Sequence, residues 1–458
     1  MTNQFAIHRK PGAIALVVVG GIGLGLISFK ALDIVTALGY RLPQEDLATD
    51  YAKGMVWAIV LGLSILAWPV SERNKQDLLW VWFAKSLVTL GVMLFYEWNY
   101  PLDAHGYFDE SRQRGFEWEG FQIGGERAGT YNMTNLCWLL QQIVPNSYHG
   151  LKVSFAMMGL VAVYLFYRAA VLFLGHEDRR IFFLLAFWPT VLFWSSILGK
   201  DPLVLLGIAL YVYGAVGWIH LKKTRFLPVL ALGVMVAMAM RVWLGVIMFL
   251  PLAIILLRGK LNIGAKVVFG LLVGVALWFS AGQFAEYFLL ETTEELMEKI
   301  ESVSADFANP GAGAGSSLEF KEYEGFGGMV AFLPLGIFTA LFRPLPGEIL
   351  NVFGLLASLE NIVALSLLCL AVKRTRWQEL KEPVVMWAGF FIITWSTIYA
   401  FVSSYNLGTA SRYRLQILPV MICLLVYLAR RRAPVPSSVT DNLSGLPAVG
   451  NALPGPSS

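Results

Sequence analysis

The chain has 458 residues, of which 57% are hydrophobic and only 14% are charged. Soluble domains carry about a quarter charged residues, so this composition excludes an ordinary soluble protein and indicates a multi-pass membrane protein. The formal net charge of +4 gives no support to nucleic-acid binding, because basic residues collect on the cytoplasmic loops of membrane proteins. The three cysteines form no CxxC pair and predict neither a disulfide framework nor a zinc site.

Apolar runs follow one another along the chain. A helix needs about 20 mostly apolar residues to cross a bilayer, and the candidate spans are residues 12–35, 54–70, 78–97, 151–174, 181–198, 202–220, 226–240, 242–257, 264–284, 350–372, 383–403 and 412–429. The shorter run Met329–Phe342 contains Pro334, and we expect it to dip into the outer leaflet and return. The sequence thus predicts an all-α polytopic fold with about twelve transmembrane helices plus one re-entrant or interfacial segment.

Basic residues between the spans set the orientation. The predicted cytoplasmic loops are the N-terminal HRK and residues 71–75, 176–180, 221–225, 258–266, 373–381 and 430–432. Only Arg241 interrupts residues 226–257, and two short spans with a tight outer turn at this arginine keep both neighbouring basic loops inside. Both termini are then cytoplasmic. The transmembrane domain covers residues 1–432, and the Pro/Ser/Gly-rich residues 433–458 form a disordered cytoplasmic tail.

Two large segments, residues 98–150 and 285–349, fall on the outer face and form the predicted site region. Residues 296–307 place apolar side chains at 4-3-4 spacing opposite a glutamate-rich face, which predicts an amphipathic helix. Residues 309–317, NPGAGAGSS, follow this helix. They are either a lid over a site at the membrane surface or a plain connector.

The stretch LDAHGYFDES is unusually polar for this chain. It contains Asp103, His105, Tyr107, Asp109 and Glu110. One interpretation is an ordinary acidic loop between spans. The other is a partly buried, ordered loop in which a carboxylate is tuned as a general base, and the neighbouring aromatic residues favour it.

A second polar stretch occupies residues 187–202, FWPTVLFWSSILGKDP. Pro189 lies inside an apolar run and is expected to kink or break that helix. Pro202 suits the first turn of the next helix, which Asp201 is expected to cap. Lys200 lies on the predicted outer side, where basic residues are disfavoured in short loops, so it can meet an anionic ligand.

Four arginines also lie at the outer ends of predicted spans: Arg241, Arg343, Arg412 and Arg414. Each is explained singly by snorkelling to the interface. As a group facing an acidic segment, they indicate a site for an amphiphile with a phosphate head and an apolar tail, because arginine binds phosphate in a bidentate manner.

Charges inside the predicted spans are few. Lys85 and Arg168 are expected to snorkel to the cytoplasmic side. Glu360 falls near the middle of its span, where such a residue is either functional or hydrogen-bonded within the protein.

The order of four segments resembles the GT-C superfamily of membrane glycosyltransferases, and in particular its protein-mannosyltransferase-like members. These segments are LDAHGYFDES, FWPTVLFWSSILGKDPLVLLGIALYVYG, the tight outer turn MRVW and SRYRLQILP at the last span. The chain departs from the family pattern because the acidic segment follows the third predicted span rather than the first. A large C-terminal soluble domain is absent from the sequence, and Asp103 and Asp109 are too far apart for a compact DxD motif.

The resemblance implies sugar transfer from a polyprenyl-phosphate-linked donor to a glycan or lipid-linked acceptor hydroxyl at the outer face of the cytoplasmic membrane, in cell-surface glycan or exopolysaccharide assembly. It implies that Asp103, with Asp109 and Glu110 as further candidates, orients or deprotonates the acceptor. The cations Lys200, Arg241, Arg412 and Arg414 would then bind the donor phosphate. Loop or acceptor contacts would come from His105, Tyr107 and Arg343.

Cofactors and competing functions stay open at this point. A divalent cation, Mg²⁺ or Mn²⁺, is a possible cofactor, with Asp103 and Asp109 as its only candidate ligands. The expected partners are membrane lipids and the two substrates, with no nucleic acid. One alternative is a transporter or flippase for a lipid-linked or anionic solute. Another is a polysaccharide polymerase or ligase that uses a lipid-linked donor.

Overall fold

The computed structural model of the chain describes residues 33–100, 103–113, 120–122, 127–258 and 325–431, together with isolated positions between residues 264 and 323. Helices make up all of the regular secondary structure in these ranges. The predicted spans 12–35 and 264–284, the amphipathic helix 296–307, the connector 309–317 and the tail 433–458 lie largely or wholly outside the described residues.

Seven of the described helices are long and apolar enough to cross a membrane. They are α1 (Leu47–Ala67), α2 (Glu72–Asn99), α5 (Tyr148–Leu174), α8 (Lys200–Leu221), α11 (Gly325–Phe342), α12 (Val352–Arg374) and α13 (Pro383–Ser403). The described residues also include the shorter α-helices α3 (Asp103–Arg112), α4 (Ala128–Gln141), α6 (Arg179–Ala186), α7 (Pro189–Trp194), α9 (Leu227–Met240), α10 (Leu244–Arg258), α14 (Leu407–Arg414) and α15 (Leu418–Ala429), and three 3-10 turns.

The all-helical membrane class is confirmed, and the described residues hold fewer long spans than the predicted twelve. The pair α14 and α15, bent by 70°, makes an eighth span if it is counted as one. The predicted span 181–198 is broken into α6 and α7, because Pro189 takes the first position of α7. The predicted break at Arg241 is confirmed, since α9 ends at Met240 and α10 begins at Leu244.

The predicted basic loops that the structure describes gather at one end of the bundle. Asn74 Nδ2 donates a hydrogen bond to Glu177 Oε1 at 3.3 Å. The ring of Phe173 contacts those of His220 and Tyr427, at centroid distances of 5.5 and 4.9 Å. We call this the basic end, and it comprises residues 71–75, 176–180, 221–225, 373–381 and 430–431.

Helix α11 packs against the end of α13 that lies away from the basic end. Its 18 residues are long enough to cross a membrane, yet Phe332 stacks on Tyr405, which lies just beyond the last residue of α13. After the helix, the carbonyl of Pro344 accepts a hydrogen bond from Asn361 Nδ2 at 2.8 Å. Asn361 lies about 14 Å along α12 from Val352, so the chain reaches this depth and then returns. The re-entrant course of Met329–Phe342 stays a prediction, because α11 is also long and apolar enough to be a span.

Candidate functional site

The stretch LDAHGYFDES contains a helix, so the predicted loop is wrong in this respect. Helix α3 buries Ala104, Tyr107, Phe108 and Ser111, which occupy positions i, i+3, i+4 and i+7 on one helical face. The buried face packs on α4, where Gln141 Nε2 donates to Ser111 Oγ at 2.5 Å. The helix therefore presents its buried face to the protein and leaves Asp103 exposed at its first position.

A buried carboxylate joins two of the predicted cations. Asp201 is 2% exposed and accepts from Arg412 Nε at 2.6 Å and from Arg241 Nη2 at 3.2 Å. The predicted capping role of Asp201 is wrong, because α8 begins at Lys200 with Gly199 as its N-cap residue and no side-chain cap. The carboxylate instead fixes two arginines that come from distant parts of the chain.

Aromatic rings hold the same two guanidinium groups in place. Arg241 lies over the ring of Tyr413 at 4.1 Å, and Arg412 lies over Trp194 at 5.3 Å. Arg241 is 6% exposed, whereas 27% of the Arg412 side chain is exposed. The Nη1 atom of Arg241 is buried and has no hydrogen-bond partner among the described residues.

Lys200 completes the group of cations. Its ammonium donates to Thr130 Oγ1 at 2.9 Å, which connects α8 to α4. Helix α4 also approaches the end of α9 closely, since a Cβ on Gly129 would lie 2.3 Å from the carbonyl oxygen of Met240, and it would lie 3.4 Å from Lys200 Nζ. We define the cation site as Lys200, Arg241 and Arg412 around Asp201.

Asp103 and Tyr107 of α3 face the cation site. The Asp103 carboxylate interacts electrostatically with Lys200, Arg412 and Tyr107. It makes no hydrogen bond or ion pair with any residue that the structure describes. Burial, reinforced by the charge of Asp103, raises the pKa of Tyr107. The phenol therefore stays protonated and can donate a hydrogen bond.

Arg414 and Arg343 are not part of this group. Arg414 is 1% exposed, and its guanidinium donates to the carbonyl oxygens of Ala340 and Arg343 and to Asn361 Oδ1. Arg343 pairs with Glu348 at 2.6 Å. Both arginines therefore stabilise the turn that follows α11, and the prediction that Arg414 binds phosphate has no geometric support.

The other polar residues of α3 have partners within the protein. Asp109 pairs with Arg112 at 2.8 Å, and Glu110 accepts from Thr134 Oγ1 at 3.0 Å. The ring of His105 packs edge-on against Tyr148, with 5.4 Å between centroids. Burial lowers the pKa of His105, so the imidazole is neutral at pH 7 and is poorly suited to holding a phosphate.

The two predicted metal ligands do not converge. Asp103 and Asp109 are six residues apart on one helix, which separates them by about 9 Å along the axis and about 120° around it. Among the described residues, no group of three or more His, Cys, Asp or Glu side chains could hold a metal ion. The described residues of α3 and of the cation site therefore do not fit a metal.

Buried polar groups satisfy both ends of the broken helix that leads to Lys200. Glu360 Oε2 accepts from the backbone N–H of Thr190 at 2.8 Å, and this N–H is left without an intrahelical partner at the start of α7. Lys85 is 1% exposed and donates to Ser195 O, Ser195 Oγ and Ser196 Oγ at 2.6 to 2.9 Å. The prediction that Lys85 snorkels is wrong, because its charge is used to hold the turn before Lys200.

A second buried network beneath α3 was missed from the sequence. Lys152 pairs with Glu97 at 2.7 Å, and Tyr148 donates to the same carboxylate at 2.9 Å. His149 Nδ1 lies 2.6 Å from Asp50 Oδ2. These residues lie near helix ends. The signal that could have identified them is the presence of charges of both signs at neighbouring ends of predicted spans.

Comparison with protein-family models, with curated proteins and with solved structures found no match. The arrangement of Asp103, Tyr107 and the cation site is therefore the feature that indicates a function.

Proposed function

We propose that the chain is a GT-C-like membrane glycosyltransferase that transfers a sugar from a polyprenyl-phosphate-linked donor to an acceptor hydroxyl. The observation that carries the proposal is that Lys200, Arg241 and Arg412 lie near the carboxylate of Asp103, which has no ion-pair partner among the described residues, at the end of the bundle away from the basic end. Cations bind and stabilise a phosphate, and the carboxylate provides a base beside it.

The charge of the site suits a phosphate that becomes more negative during the reaction. The three cations and Asp201 together carry a formal charge of +2. A polyprenyl-phosphate sugar is a phosphodiester with one negative charge. The released phosphate monoester, with a second pKa of about 6, carries nearly two. The site therefore stabilises the departing phosphate more strongly than the bound donor, which is the condition for catalysis rather than mere binding.

The proposed reaction forms one bond, breaks one bond and moves one proton. The acceptor oxygen bonds to the anomeric carbon of the sugar while Asp103 takes up the hydroxyl proton. The bond between that carbon and the phosphate oxygen breaks, and its electron pair leaves on the phosphate. The positive charges of Arg412 and Arg241 stabilise the new negative charge on the phosphate. The buried Nη1 of Arg241, which has no hydrogen-bond partner among the described residues, is a donor for it. The phenol of Tyr107 supplies a hydrogen bond at the same place.

The distribution of basic residues supports a proposal for the face of the membrane at which the site opens. We propose that the basic end faces the cytoplasm and that the cation site opens at the outer face of the cytoplasmic membrane. Both termini, including the tail 433–458, would then be cytoplasmic, and about twelve spans would include the residues outside the described ranges. Labelling of a single cysteine at Arg112 by an impermeant reagent in intact cells tests this orientation. A cysteine at Arg376 is the matched cytoplasmic position.

The function is tested with purified protein in proteoliposomes, supplied with radiolabelled polyprenyl-phosphate sugars and candidate glycan acceptors. Transfer is expected from a polyprenyl monophosphate donor. Arg412→Gln should lower transfer about 10- to 100-fold, in line with the loss of one charge-stabilising group. Arg225→Gln removes a cation at the basic end and should leave transfer unchanged. Equal rates for the two variants would contradict the proposed site.

A transporter or flippase is the second candidate, and one observation favours it. The break between α6 and α7 lies beside the buried Glu360, the turn after α7 lies beside the buried Lys85, and broken helices of this kind line transport sites. Movement of a labelled polyprenyl-phosphate sugar across the proteoliposome membrane without cleavage would support this candidate. A polymerase or ligase would use the same donor step and differ in accepting a growing glycan.

A further inference from the structure

A cavity of about 420 Å³ lies at the basic end, away from the cation site. Its walls are formed by apolar side chains from α5, α8, α13 and α15, including Phe166, Val216 and Trp387. Along α15 it extends from Val420 to Arg430, about 15 Å at 1.5 Å per residue. The cavity therefore enters the membrane-embedded part of the bundle and has the size of a ligand pocket.

The rim of the cavity carries polar groups, in contrast to its walls. His176, Asp178, Arg180 and Arg430 line it at the basic end. Asp178 caps α6 by accepting from the backbone N–H of Arg180. Arg430 pairs with Glu379 at 2.7 Å. The guanidinium of Arg180 makes no hydrogen bond or ion pair with any described residue, so it is available to an anion at the rim.

We propose that this cavity binds an anionic phospholipid, with one acyl chain between α5, α8, α13 and α15 and the phosphate against Arg180 and Arg430. An apolar cavity within a bundle surrounded by lipid favours a hydrocarbon chain over water. Basic pockets between transmembrane helices at the cytoplasmic side are suited to anionic headgroups. A soluble anion alone would leave the apolar walls without an occupant. The proposal is independent of sugar transfer at the other end of the bundle.

The test uses the full-length protein in detergent micelles and counts retained lipid by native mass spectrometry. Dioleoyl phosphatidylglycerol and dioleoyl phosphatidylcholine are compared, because they share acyl chains and differ in net charge. Phosphatidylglycerol is expected to be retained as one molecule per chain. Arg180→Gln and Arg430→Gln should each weaken its retention about fivefold, the effect of one cation near an anionic lipid. Arg225→Gln, at the same end but outside the cavity, should have no effect.

The acyl-chain position is tested by filling the cavity. Ala170→Phe places a ring at the cavity wall and should reduce retention of both lipids, whereas Ala67→Phe adds the same ring at an exposed position of α1. Equal retention of the two lipids by the wild type would overturn the headgroup assignment. Unchanged retention in folded Ala170→Phe would overturn the acyl-chain assignment. Displacement of the lipid by glycerol phosphate alone would show that the site takes a soluble anion. If Ala170→Phe fails to fold, the two arginine variants still decide the proposal.

Discussion

Replacing Asp201 by asparagine tests the ion-paired centre of the candidate site. The change keeps the shape of the side chain and removes the charge that neutralises Arg241 and Arg412. Loss of one partner from a buried ion pair costs about 3–5 kcal/mol. The cost is lower here because the Arg412 side chain is 27% exposed and can reach water, and because Arg241 keeps its contact with Tyr413. We expect the free energy of unfolding to fall by about 2–4 kcal/mol.

The assay is equilibrium unfolding in mixed micelles of mild detergent and SDS, followed by circular dichroism. Asp109→Asn is the matched control, because it removes the same group from an ion pair in which the aspartate side chain is 49% exposed. Such a surface pair contributes about 0–1 kcal/mol. If Asp201→Asn lost no more stability than Asp109→Asn, the buried carboxylate would not be holding the two arginines, and the reasoning about the cation site would fail.

Three further predictions address the surroundings of the site. Gly129→Ala should lower the rate of sugar transfer, because the added Cβ would lie 2.3 Å from a backbone oxygen. Gly106→Ala is the control, because its Cβ would point into open space, and the transfer rates of the two purified variants are compared. Lys85→Met should lower the free energy of unfolding by about 1–3 kcal/mol, as the carbonyl of Ser195 loses its donor, and undiminished stability in the SDS titration would exclude this role. Burial lowers the pKa of His105 below its ordinary 6.5, so the unfolded chain binds its proton first as the pH falls. Stability should therefore decrease between about pH 7 and 5, and His105→Gln should lose less over that interval.

The helical class and several breaks could be predicted because they depend on local chemistry. Composition alone indicated the membrane class, and Pro189 and Arg241 marked the breaks on either side of α8. The grouping of the basic loops at one end also followed from sequence, because charge asymmetry is a property of each loop. The helix at Asp103 was missed, although its buried positions have helical spacing, since Gly106 and the density of acids are typical of loops.

Contacts between distant residues could not be predicted in the same way. Asp201 was interpreted from its neighbours as a helix cap, whereas its partners lie 40 and 211 positions away. Arg412 and Arg414 are two residues apart, yet one faces the site and the other stabilises the turn after α11. Both arginines lie in the last turn of α14, where two residues are about 200° apart around the helix axis, and the local sequence does not specify which of the two faces the site.

The central claim is that Asp103 acts as a base beside a phosphate held by the cation site. The most direct test is the rate of sugar transfer by Asp103→Asn from a radiolabelled polyprenyl monophosphate donor, with Asp109→Asn as the control on the same helix. We predict that Asp103→Asn loses at least about 100-fold in rate, the contribution of a positioned general base, while still binding the donor. Undiminished transfer by a folded Asp103→Asn variant would contradict the account.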